Sequence, residues 1–148
     1  MDSAALLRAL HVLGAVLLLG NVIVTGLWAA LLWRQRPAVP FRPVARAIMW
    51  ADLCFTVLGG SALTVSGIFL IQLHHLPWRE LAWVRHGIGA LGAGTLIWLL
   101  VLLPDQVRMD RLSEDDPRYA RAYWRWTIVG WGATLILLYG LWAMVTKS

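Results

Sequence analysis

The chain has 148 residues, 59% hydrophobic and 14% charged, with a mean hydropathy of +0.67, whereas soluble domains run about 45–50% apolar and about 25% charged. A soluble fold of 16.5 kDa has too little interior to hide that much apolar surface, which excludes most soluble enzymes, disordered regulators and disulfide scaffolds. The net charge of +5 does not point to nucleic acid: every cation except Lys147 is arginine, and they sit in short polar gaps between long apolar runs, the pattern of membrane topology signals and headgroup contacts.

Four stretches are long and apolar enough for a membrane helix, which needs about 20 residues. They cover residues 6–33, 44–73, 81–103 and 126–145, and predict one all-α, four-span domain, an up-down-up-down antiparallel four-helix bundle in the lipid bilayer. From Ala9 to Trp33 the first stretch is interrupted only by His11, Asn21 and Thr25, too long for a signal-peptide core, and reads as a retained span. Pro37, Pro40 and Pro43 break the first connection, since each lacks a helical N–H. The second connection, 74–80 with Pro77, is so short that it predicts the second and third helices as packed neighbours. The third connection, 104–125, is the main polar segment, and its acids followed by Pro117 signal a short surface helix over 118–124 leading into the fourth span. Cys54 is the lone cysteine, so no intrachain disulfide forms, and it reads as a small buried hydrophobe.

Counting cations by side gives Arg34, Arg36, Arg42, Arg46, Arg108, Arg111, Arg118, Arg121 and Arg125 against Arg8, Arg79, Arg85 and Lys147. Nine against four places both termini outside, which in a bacterial inner membrane is the periplasm.

Polar residues within such helices are costly and face the bundle interior or a cavity. His11, Gly14, Leu18, Asn21, Thr25 and Trp28 recur every three or four residues along the first helix, a single face. Asp52, Thr56, Gly59, Leu63, Ser66, Leu70 and His74 do so on the second, and His86, Ala90, Ala93, Ile97 and Leu100 on the third. On the fourth, Trp124, Trp131, Leu135, Leu138 and Trp142 share a face. Up-down topology brings His11, His74, His75 and His86 to one end, where imidazoles can serve haem or metal. His74 and His75 also read as solvated loop residues, and His86 as an interfacial one. Asp52 requires a cation or hydrogen bonds, with Asn21, Thr25, Thr56 and an inward-reaching Arg46 as expected neighbours. It reads as a helix–helix clamp or as a proton relay. Of the ten tryptophans, Trp33, Trp78, Trp83, Trp124 and Trp126 fit interface belts. Trp98, Trp131 and Trp142 lie deeper, to fill the core or stack on a planar cofactor.

Leu10-His11-Val12-Leu13-Gly14-Ala15 with Gly20-Asn21, then Ala51-Asp52, Ser66-Gly67, Trp98-Leu99 with Pro104, and Arg125-Trp126 resemble a bacterial family of four-span predicted integral membrane proteins of unknown function. More distantly, the first-span histidine is similar to the CopD-like group, which includes HemJ-like four-span proteins that bind b-type haem. That resemblance implies His11 as a haem ligand. HemJ-like chains carry Trp then Lys at the start of the third helix, where Trp83-Val84-Arg85-His86 stands here.

Three functions follow as expectations. In the first, a redox protein holds haem b, or copper, near the outer face through His11 and His86, with Trp98 beside the cofactor. In the second, the chain is a non-catalytic subunit of a homo-oligomer or larger membrane complex, its polar seam only registering helices. In the third, an ion or small solute passes along the Asn21, Thr25, Asp52 and Thr56 lining.

Overall fold

The computed structural model describes residues 2–36 and 38–147; Pro37, one of the prolines expected to break the first connection, lies outside the described residues. Four helices are long and apolar enough to cross a membrane: α1 (Ser3–Trp33), α2 (Arg42–Leu73), α3 (Ala82–Arg111) and α4 (Pro117–Thr146). Among the described residues there is no strand.

The helix starts follow from local chemistry. Asp2 caps α1 by accepting the Ala4 N–H at 3.0 Å, and Asp116 caps α4 by accepting the Arg118 N–H at 2.8 Å, with Pro117 in the first turn where its missing N–H costs nothing. The start of α2 has no cap of its own. Its orphan Phe41 and Arg42 N–H groups donate at 3.1 and 2.7 Å to the Glu114 carboxylate, on the link between α3 and α4. The polar stretch 104–125 is therefore mostly helix. α3 continues through Pro104 to Arg111, and the helix expected over 118–124 is present, continuous with the fourth span in α4.

Two helices change pitch on the way. Asp52–Thr56 in α2 and Trp98–Leu102 in α3 are π-helical turns. Such turns insert a residue, shift the phase of everything after them and recur at functional sites. Pro104 comes two residues after the second one, and the wider turn relieves the clash its ring makes in a regular helix.

The bundle consists of two helix hairpins. α1 packs chiefly on α2, and α3 chiefly on α4. Backbones approach closely inside each: a Cβ on Gly59 would stand 2.8 Å from the Leu18 nitrogen, and one on Gly140 2.6 Å from the Ala90 Cβ. The short 74–80 link does not make α2 and α3 neighbours along their length, as its brevity implied. They touch where Arg42–Ala51 meets Leu103–Arg111, while Val57–Leu73 and Ala82–Ile97, next to the link, make no substantial contact. The hairpins meet at the arginine-rich end around one aromatic core drawn from all four helices, including Ala29, Trp33, Phe41, Ile48, Met109, Tyr119 and Tyr123. Trp33 stacks on Tyr123 with ring centroids 3.6 Å apart and meets Phe41 edge-on at 5.2 Å.

Several faces differ from the periodic reading. On α4 the expected seam mostly points outward, with Trp124, Leu135, Leu138 and Trp142 exposed and Trp142 63% so, while Trp131 turns toward Gly26 of α1 and Ala133, Thr134, Gly140 and Ala143 are buried. Lipid is as apolar as these side chains, so no force draws tryptophan inward and close packing selects the small residues. Trp28 and Leu100 also face outward, and Leu100 lies in the π turn, where a 3.6-residue period no longer applies. Cys54 is exposed rather than buried. Trp33 and Trp126, expected in interface belts, belong to the core.

Candidate functional site

Where the hairpins diverge, they enclose a cavity of about 420 Å³, open on one side, that both π turns help to line. From α1 and α2 it receives Thr25, Asp52 and Thr56; from α3 and α4, Trp98, Trp126 and Trp131. Asp52 lies ten residues into α2, roughly 15 Å along the axis from Arg42, and is 5% exposed.

Its carboxylate holds the hairpins together at that depth. Asn21 Nδ2 of α1 donates to Oδ1 at 2.6 Å, and Gln106 Nε2 of α3 donates to Oδ2 at 2.5 Å. Thr25 Oγ1 is 3.5 Å from Oδ1 but gives its proton to the Asn21 carbonyl at 2.8 Å, so it contributes little. Arg46, expected to reach inward, instead binds the Asp110 carboxylate at 2.6 Å, because α3 runs on far enough to bring Asp110 beside it. Among the described residues, no ion pair includes Asp52.

Asp105, on α3, gives the contrast. It is fully buried, yet Arg125 binds both of its oxygens, with Nε 2.7 Å from Oδ2, and Arg108 approaches Oδ1 at 2.9 Å. One carboxylate thus has two guanidinium partners and the other only neutral amides. A buried carboxylate without a cation is costly, and two amide donors offset only part of that cost. Around it, Thr56 Oγ1, Gln106 Oε1 and the indole nitrogens of Trp98 and Trp126 are buried without a hydrogen-bond partner in the protein.

The expected site residues fall into separate groups. Asn21, Thr25 and Asp52 meet directly, and Thr56 and Trp98 line the same cavity. His11 and His86 do not line it. His11 sits inside the first hairpin, its Nδ1 3.1 Å from the Leu63 carbonyl and 3.0 Å from Ser66 Oγ, whose own proton goes to the Ala62 carbonyl. Both oxygens are acceptors toward the ring, so Nδ1 carries the proton and Nε2 keeps its lone pair. Gly67 leaves room for this ring, since a Cβ there would stand 3.2 Å from Cε1. His86 sits in the second hairpin, 3.1 Å from the Tyr139 hydroxyl. No group of three His, Cys, Asp or Glu side chains that could hold a metal ion comes together among the described residues. Gln106 and the Asp105 ion pairs were missed from sequence, because both lie in a stretch read as a polar connection.

The helices and the intramembrane carboxylate define a polytopic α-helical membrane protein. The chain belongs to a family described as "Predicted integral membrane protein (DUF2269)", whose model matches residues 5–148. No curated protein and no solved structure matches it, and the comparisons do not extend the resemblance to CopD-like or HemJ-like proteins.

Proposed function

We propose that the chain binds a proton or a small cationic solute at Asp52 and passes it across the membrane. The observation that supports this is a carboxylate with no cationic partner among the described residues, at the edge of a cavity between two hairpins. Joined at one end and separate at the other, the hairpins can rock about their aromatic core, a rigid-body motion that would open and close the cavity. The nine-to-four asymmetry of arginine and lysine supports a bacterial inner-membrane setting with both termini periplasmic.

The test is charge movement in proteoliposomes on a solid-supported membrane, after jumps in proton, sodium or potassium concentration. Currents present in the wild type and absent in Asp52→Asn, with the variant still monodisperse and helical, are expected. Equal currents in both, or none with any of these cations nor with a small organic ammonium, would overturn the reading.

A second reading, haem b held by His11 and His86, is supported by the His11 ring alone. A backbone carbonyl holding Nδ1–H and leaving Nε2 available is the arrangement that orients a ligating imidazole. A Soret band in protein expressed with haem supply, lost in His11→Ala, would support it; a featureless spectrum would end it.

A further inference from the structure

We infer that the solute class taken by the Asp52 cavity is a small organic ammonium ion, not a directly ligated metal ion. This rests on the cation-binding reading above and names its substrate. Three features converge. The volume of about 420 Å³ lies within the range of small-molecule sites, about 300–1,000 Å³, and far exceeds what a bare metal ion fills. A metal ion would need several oxygen ligands closing on one point. Among the described residues, Asp52 is the only carboxylate lining the cavity, and no metal-binding group of three His, Cys, Asp or Glu forms. Trp98, Trp126 and Trp131 come from the hairpin that faces Asp52. Indole faces attract organic cations through the ring quadrupole, most strongly when both are out of water.

The polar atoms around the carboxylate fit the same class. Trp126 is more than nine-tenths buried, lines the cavity and leaves its indole N–H unpartnered, as does Trp98. Such donors suit a ligand that carries an acceptor oxygen beside its ammonium group, or the water that accompanies it. The rest of the wall is aliphatic, with Leu18, Val22, Leu91 and Leu137 among its residues, and would cover a hydrocarbon substituent. The charge is thus recognised at Asp52, the shape by the indoles and the apolar part by the wall.

The experiment is equilibrium dialysis of the protein in lipid nanodiscs against benzyltrimethylammonium, with empty nanodiscs as the partition control and neopentylbenzene as the neutral isostere. Saturable binding of the ammonium and not of the isostere is expected. Asp52→Asn should weaken it about thirtyfold or more, as when a buried charge loses its partner. Trp98→Ala should weaken it about thirtyfold, the size of one desolvated cation–π contact, with Trp98→Phe recovering most of the loss. Binding that survives Asp52→Asn, or equal binding of the isostere, would overturn the inference. So would Asp52-dependent currents with protons, sodium or potassium and no saturable ammonium binding, an outcome that leaves the cation-binding reading standing. Absence of both currents and binding removes both.

Discussion

The two ends of this bundle are built differently. At the arginine-rich end, side chains from all four helices share one aromatic core, and the hairpins are tied by Arg46 to Asp110 and by the Glu114 cap on α2. At the histidine end the polar contacts stay inside single hairpins, with His11 to Leu63 and Ser66 in the first and His86 to Tyr139 in the second. Stacked rings and ion pairs, available near the headgroups, join the hairpins; close glycine contacts in the apolar interior join helices within a hairpin. Asp52 lies on the boundary between these regimes, where a hairpin motion would be felt and the core still fixes the carboxylate.

Three substitutions or titrations would break or sharpen that contrast. The largest effect is expected for Tyr123→Ala, which removes the ring stacked on Trp33 and the hydroxyl that donates to the Ala29 carbonyl at 3.3 Å. A loss of about 3–5 kcal/mol is expected from reversible unfolding in mixed micelles. Tyr139→Ala, at the exposed histidine end, should cost much less, and equal losses would dissolve the distinction between the ends. Next comes Gly59→Ala. Its new Cβ would meet the Leu18 backbone nitrogen at 2.8 Å, whereas next door at Gly60 a Cβ meets nothing within 4 Å. The first change should cost about 1–3 kcal/mol and the second under about 0.5 kcal/mol; similar values would mean that the first hairpin is not closely packed.

The smallest effect concerns the α4 cap. The Arg118 guanidinium and backbone N–H hold the Asp116 carboxyl down, from 3.8 to about 2. Its contribution is therefore complete above about pH 3.8 and is lost as pH falls through about 2. A carbon-detected NMR titration of the Asp116 side chain should show that low midpoint, and Arg118→Ala should move it back toward 3.8. An unchanged midpoint in the variant would show that the cap is set by the helix end and not by the guanidinium.

The sequence by itself determined the class of protein, the number of membrane helices and the presence of a costly carboxylate with Asn21 and Thr25 beside it. Apolar length, proline breaks and the price of a buried charge act locally along the chain, and they are legible there. The tertiary structure alone decided which helices pair and which faces close. In lipid no apolar contrast separates a helix's inside from its outside, so small residues, not tryptophans, take the interface on α4. It also decided the phase of α3, because a π turn offsets a helical period that sequence arithmetic assumes to be constant. That offset lies just ahead of Gln106 and Asp105, in a stretch whose charges read as a surface loop. The former binds Asp52 and the latter closes the arginine-rich end. Only the packing of α3 against α2 and α4 buries them and makes them part of the site.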